Sequence, residues 1–142
     1  PVVVMLAAMI PVGQALETSG ISLNIANFIS TTTEGMALPW LILMVLVITM
    51  FVSDIVNNAA TAVIMAPIAA NLAMQVGQPV EPFLMAVAVG ASCAFLSPIG
   101  HQCNTLVMAP GNYKFGDYWR LGLPLEFVIV LISIPMILFV WT

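Results

Sequence analysis

The sequence predicts an all-α integral membrane protein whose helices are interrupted by polar breaks, and three observations carry that reading. The first is composition. Hydrophobic residues make up 62% of the chain and charged residues 6%, with a mean hydropathy of +1.14, whereas a water-soluble domain carries roughly 25% charged residues. Hydrocarbon is therefore the main solvent. The second is the length of the apolar runs. Several stop after about fifteen residues, short of the roughly 20 that a full helical span needs. The third is a pair of polar clusters set inside those runs, "SDIVNN" at 53–58 and "SPIGHQCN" at 97–104. Irregular backbone at membrane depth must be buried in protein or line a wet cavity, because hydrocarbon offers its amides no partner.

Each element follows from the local pattern. Pro1 lies inside a hydrophobic run, and 1–16 reads as the end of a transmembrane helix that began upstream, so the chain is expected to be the C-terminal part of a larger protein. Residues 17–35 alternate in polarity, with Ile21, Ile25, Phe28 and Ile29 at helical spacing. An interfacial amphipathic helix fits. Residues 38–73 hold two short apolar arms around the first polar cluster. A re-entrant helical hairpin is expected, the alternative being one long helix broken in the middle. The Gly- and Pro-rich "VGQPVEP" at 76–82 is a loop. Residues 83–110 read as a broken transmembrane helix around the second cluster, and Ala86, Gly90 and Ala94, four apart, allow close helix contact. The segment 112–123 carries aromatics and both cations, Lys114 and Arg120. The positive-inside rule makes it an interfacial, cytoplasmic segment. Residues 124–141 form the final transmembrane helix.

Composition also excludes function classes. With two cations there is no basic patch for nucleic acid. Cys93 and Cys103 fit neither a disulfide framework nor a metal motif and read as ordinary small residues. One histidine and scattered carboxylates supply no nucleophile–base pair, so an enzyme is not expected. Glu17, Glu34, Glu81, Asp117 and Glu126 are expected at solvated interfaces.

The two breaks carry the chemistry. The chain reads "TAVIMAP" after the first and "NTLVMAP" after the second. Discontinuous helices are how secondary transporters build midplane sites, with half-helix N-termini aimed at anions and unwound carbonyls holding cations. Asn58, Ala59 and Ala60 open one half-helix, and Asn104 and Thr105 open another. Ser53, the carbonyls near Val56, the Asn58 amide and the Gly100 carbonyl form a candidate Na⁺ cage of lightly charged oxygens. Ala59 and Gly100 let backbone approach a ligand closely. Asn57 and Asn58 donate and accept hydrogen bonds without the cost of a charge. His101 is a candidate donor to an anion or a proton-linked group. The plainer readings are that Asn57 and Asn58 cap a helix, that Asp54 is a capping group behind the ion site, and that His101 is a packed, hydrogen-bonded histidine.

"FVSDIVNNAATAVIMAPIA" and, about 25 residues later, "GASCAFLSPIGHQCNTLVMAPGNYKFGDYWRLGLPLE" resemble the second half of the divalent anion/sodium symporters, the sodium-coupled sulfate and di- or tricarboxylate transporters of the ion transporter superfamily. "GQALETSGISLNIANFI" is similar to the segment before that family's outward-opening hairpin. The resemblance implies two inverted repeats, of which this chain holds the second, the N-terminal repeat lying outside it. It further implies elevator-type transport, a homodimeric full-length protein and a location in the bilayer of a bacterial inner membrane. The family's hairpin-tip Ser-Asn-Thr falls on Asn57, Asn58 and Ala59, keeping only the central Asn. Its sodium cage falls on Ser53, Val56, Asn58 and Gly100. The residue after Gly100, often Thr in the dicarboxylate branch, is His101 here, followed by Gln102.

The resulting expectation is sodium-coupled transport of a divalent anion, sulfate or a di- or tricarboxylate. Asn57, Asn58, Ala59, His101, Asn104 and Thr105 face the anion, and Ser53, Val56, Asn58 and Gly100 face Na⁺. The stretch "SPIGHQCNTLVMAPGNYKFGDYWRLG" is more similar to the bacterial and algal permeases, some of which carry sulfate. Proton-coupled, metal–citrate and arsenite-type permeases of the same superfamily are the near alternatives, and a non-transporting membrane sensor or anchor is the alternative of another class.

Overall fold

The structure is a computed structural model that describes residues 18–32 and 35–141, with positions 4, 7, 8, 11, 12, 14 and 15 upstream. The expected helix end at 1–16 therefore lies largely outside the described residues, as do Glu17 and Glu34. From residue 21 on, six helices succeed one another: α1 Ile21–Thr32, α2 Leu38–Ile55, α3 Asn58–Val76, α4 Val80–Ser92, α5 Gln102–Met108 and α6 Phe115–Trp141. The fold is all-helical over the described residues. Helices α2, α3 and α6 are each long and apolar enough to cross a membrane.

Helix α2 starts with a proline in its first turn, where the missing N–H costs nothing. Its buried side is a single stripe running from Leu41 and Ile42 through Val45, Leu46, Thr49 and Met50 to Ser53 and Asp54. The three- and four-residue spacing delivers two polar side chains to the same face as the apolar core. The buried Thr49 hydroxyl donates to the Val45 carbonyl at 2.6 Å, so this polar group is satisfied within its own helix. Helix α3 ends at Gly77, whose φ of +67° is the left-handed conformation that closes a helix C-terminus. Gln78 N–H completes the cap on the Ala73 carbonyl at 3.0 Å.

Helix α4 is the hub: α2, α3 and α6 all pack on it, and α2 and α3 contact it more than they contact each other. The small-residue stripe explains the close approach. Ala86, Gly90 and Ala94 are all buried. A Cβ on Gly90 would lie 2.8 Å from Thr49 Cβ and 2.9 Å from the Leu46 carbonyl, so only glycine admits α2 at this distance. The core around this contact comprises Leu41, Ile42, Leu46, Leu72 and Phe83.

Several boundaries differ from the sequence expectation. The expected loop 76–82 narrows to 77–79, because Val76 ends α3 and Val80, with Glu81 and Pro82, opens α4. Helices α2 and α3 run 18 and 19 residues, beyond the arms 38–52 and 59–73, because Ser53 and Asp54 stay helical and the first break shrinks to Val56 and Asn57. Helix α6 begins at Phe115 rather than at 124. Asp117 accepts the Lys114 N–H at 2.8 Å and starts it, and charged residues in a first helical turn are no obstacle at a membrane interface. Helix α1 turns its apolar stripe outward. Ile21, Leu23, Ile25 and Phe28 are exposed while Ser22 and Ala26 are fully buried, and the Asn71 amide of α3 donates to Ser22 Oγ at 3.3 Å. An outward apolar stripe suits a helix whose free face meets lipid.

Candidate functional site

The two breaks meet. Residue Val56 ends α2 in extended conformation with its N–H on the Val52 carbonyl at 2.8 Å. Asn57 then caps α3, its Oδ1 accepting the Ala60 N–H at 2.8 Å, which satisfies one of the donors a helix start leaves open. On the other side, α4 stops at Ser92 and nine residues, 93–101, run without helix before α5. The first break is laid directly against this segment. A Cβ on Gly100 would lie 2.7 Å from Ala94 Cβ and 2.8 Å from the Ser53 carbonyl oxygen. Glycine is therefore required at 100 by close backbone approach.

Asn58 is the centre of the junction. One atom of its amide lies 3.0 Å from Ser53 Oγ, 3.2 Å from the Ala91 carbonyl and 3.2 Å from the Gly100 carbonyl. Hydrogen bonding alone makes this atom the amide nitrogen, donating to that group of oxygens. Turned over, the amide instead brings its oxygen to Ser53 Oγ and two carbonyls. Four uncharged oxygens then converge on one place, the donor set a hard monovalent cation takes. The Ser53 hydroxyl also donates to the Ala91 carbonyl at 2.9 Å. The structure thus brings Ser53, Asn58 and Gly100 together, with Val56 two residues from Asn58 on the same break. It adds the Ala91 carbonyl, which the sequence reading missed. The signal available was the "GAS" end of α4, where a helix stops and releases carbonyls.

A second set of bonds fastens the break to the 93–101 segment. Asp54 Oδ1 accepts the Leu96 N–H at 3.0 Å. The Asp54 carbonyl accepts from Ser97 Oγ at 2.6 Å, and Ser97 Oγ in turn accepts the Ile99 and Gly100 N–H groups at 3.2 Å each. Asp54 thus ties the last turn of α2 to the 93–101 segment. Ser97, read only as part of a polar cluster, is the pin of the loop.

The remaining candidates are placed unevenly. Asn57 is exposed, and Asn58 and Ala59 are half-buried at the opening of α3. His101 is exposed and caps α5, its Nδ1 accepting the Cys103 N–H at 3.2 Å. Asn104 and Thr105 turn their side chains back into the loop. Asn104 Nδ2 donates to the carbonyls of Ala94 at 3.0 Å and Ser97 at 3.2 Å, and Thr105 Oγ1 donates to the Pro98 carbonyl at 2.6 Å. Tyr118 of α6 donates to the Asn104 carbonyl at 2.7 Å. Among the described residues no group of three or more histidine, cysteine and carboxylate side chains is arranged to hold a metal ion. Glu126 departs from expectation. Instead of a solvated interface it lies half-buried on α6 with its carboxyl against that of Asp54, because α6 begins early and lays this face on the 93–101 segment.

Three helices long and apolar enough to cross a membrane, packed around a polar junction of two helix breaks, define a helical membrane protein. The chain belongs to the citrate transporter family, whose profile matches residues 1–142. An uncharacterized transporter of Synechocystis is 35% identical over 99% of this chain and 23% of its own length. A probable sodium/sulfate cotransporter of Chlamydomonas reinhardtii is 32% identical over 90% of this chain and 14% of its own length. A sodium-dependent high-affinity dicarboxylate transporter of Caenorhabditis elegans is 31% identical over 85% of this chain and 21% of its own length. The chain spans less than a quarter of the length of these relatives. The matched family and these relatives are named as transporters.

Proposed function

We propose that the protein containing this chain is a sodium-coupled transporter of a divalent anion, with 38–73 and 83–110 as the re-entrant hairpin and the broken helix of one inverted repeat. The observation that carries this reading is the convergence of Ser53 Oγ, the Asn58 amide and the Ala91 and Gly100 carbonyls at one junction. Na⁺ is a co-transported substrate here, taken by Ser53, Val56, Asn58 and Gly100. The anion lies beside Asn57, Asn58 and Ala59, with His101 on the opposite wall. Asn104 and Thr105 shape that wall, since their side chains hold the loop. Asn58 belongs to both halves of the site, so cation and anion binding are coupled through one amide. Sodium/sulfate and sodium-dependent dicarboxylate relatives support both the coupling ion and the two substrate classes, and the "SPIGHQCN" stretch favours sulfate. A homodimer working by an elevator motion completes the proposal.

The test is uptake into proteoliposomes by the intact protein. Labelled sulfate, succinate and citrate are each followed with and without an inward Na⁺ gradient, for wild type and Asn58→Ala. Sodium-driven uptake of one anion, lost in the variant, is the expected outcome and names the substrate. Uptake indifferent to Na⁺ overturns the sodium assignment.

A further inference from the structure

The half-helix α5 is held by polar bonds where the other helices are held by packing. Among the described residues no helix packs closely on it. A cavity of about 280 Å³ lies between it and α6, lined by Cys103 and Val107 of α5, Leu121 and Leu125 of α6, and Phe95 and Tyr113. Tyr118 of α6 bridges this cavity, its hydroxyl donating to the Asn104 carbonyl at 2.7 Å. Two glycines set the tyrosine in place. A Cβ on Gly111 would strike the Tyr113 ring. That ring meets the Tyr118 ring edge-on, with centroids 6.3 Å apart and planes at 65°, a favoured aromatic geometry. A Cβ on Gly122, one turn after Tyr118 on the same helix face, would strike the Phe95 carbonyl. Glycine there lets α6 lie on the unwound backbone at Phe95 and Leu96.

We propose that Tyr118 is a positioning residue for the ion site, acting through Asn104. The bonds run in sequence from α6 to the junction. Tyr118 Oη holds the Asn104 backbone, and Asn104 Nδ2 holds the Ala94 and Ser97 carbonyls. Ser97 Oγ donates to the Asp54 carbonyl and accepts the Gly100 N–H. Gly100 supplies one of the carbonyls beside Asn58, and Asp54 follows Ser53 in the last turn of α2. One hydroxyl on α6 thus reaches both breaks while touching neither ion nor anion. Tyrosine suits the task, because its ring spans an apolar gap and only its tip is polar. Phenylalanine would fill the same space and leave α5 tied to the 93–101 segment alone. The effect on Na⁺ rests on the sodium reading, whereas the hold on the 93–101 segment does not.

The test has two arms on the intact protein. Wild type is compared with Tyr118→Phe, Asn104→Ala, the double variant and, as a control on the neighbouring ring, Tyr113→Phe. The first arm is amide hydrogen exchange over residues 93–104 without Na⁺, which reads local opening. Tyr118→Phe is expected to speed exchange by about fivefold or more, and Tyr113→Phe to match wild type. The second arm is Na⁺-dependent thermal stabilisation. Half-saturating Na⁺ is expected to rise about three- to tenfold in Tyr118→Phe, the range one hydrogen bond spans. In the Asn104→Ala background the same change should add less than about twofold, because the route through Asn104 is already cut. A purely structural tyrosine would lower the unfolding temperature and leave half-saturating Na⁺ unchanged. That result, unchanged exchange in Tyr118→Phe, or full additivity in the double variant overturns the proposal. If wild type gains no stability from Na⁺, the sodium reading fails by itself, and the exchange arm still decides whether Tyr118 holds the segment.

Discussion

The two helix breaks begin from nearly the same words and end in different structures. After the first, "TAVIMAP" continues as α3, with Pro67 inside the helix. After the second, "NTLVMAP" stops at Met108. Proline ends neither helix by itself. The residues beyond it decide the outcome: Pro67 leads into "IAANLAMQV", good helix formers, and Pro110 into Gly111 and Asn112, the latter turning at a φ of +52°. The breaks themselves also differ. The first is two extended residues closed by an asparagine cap. The second is nine residues with little backbone hydrogen bonding of their own, held by side chains from Asp54, Ser97, Asn104 and Thr105. The short break is closed by its own asparagine cap, the long one is held largely by side chains, and Ser53, Asn58 and Gly100 meet where the two touch.

Variants of the contact between them should act first. Gly100→Ala drives a methyl into Ala94 and the Ser53 carbonyl. It is expected to part the two breaks and raise the Na⁺ needed for half-maximal uptake by more than about tenfold, since overpacking of this kind costs on the order of 1–3 kcal/mol. Ser53→Ala removes the hydroxyl between Asn58 and Ala91, with an expected rise of about tenfold. Combined with Asn58→Ala it should cost less than the sum, because the two share partners. Both are read as the Na⁺ dependence of uptake. A Ser53→Ala protein with unchanged Na⁺ dependence would leave the short break without an ion role.

The long break is probed through its pins. Thr105→Val loses the bond to Pro98 while keeping shape, and thermal unfolding of the intact protein should report a loss of about 1 kcal/mol. The smallest effect is expected at the short break's cap. Asn57→Ala should cost on the order of 0.5–1 kcal/mol and Asn57→Asp should restore it, since either side chain caps. Restored stability with uptake still impaired would show that Asn57 meets the anion as well as the helix.

Much of this was legible in the sequence for identifiable reasons. The apolar runs, the two polar clusters and the Ala86, Gly90, Ala94 stripe follow from spacing alone, and the meeting of Ser53, Asn58 and Gly100 was implied by the family resemblance. The parts that escaped depend on contacts far apart in the chain. Helix α2 runs through Ser53 and Asp54 because their partners, Ala91, Leu96 and Ser97, lie about 40 residues on, and no window around residue 54 contains them. Asn104 and Thr105 read as ligands because a polar side chain in an apolar stretch looks available, yet both face back into their own loop. Glu126 read as an interface residue because the helix carrying it was started at 124. A start at Phe115 places it three turns in.

The length of α6 couples this site to its solvent. Its 27 residues measure about 40 Å at roughly 1.5 Å per residue, against a hydrocarbon slab of about 30 Å. Lys114, Trp119 and Arg120 mark the end that belongs among headgroups, and almost none of the helix is covered by the rest of the chain. The apolar stretch from Leu121 to Trp141 measures about 31 Å, a match to that slab, so a thinner bilayer would tilt it. Gly122 lies just inside that end, so acyl-chain length becomes a gauge for the contact of α6 with the unwound backbone at Phe95 and Leu96. A lipid mixture chosen for convenience is, for this protein, a reagent.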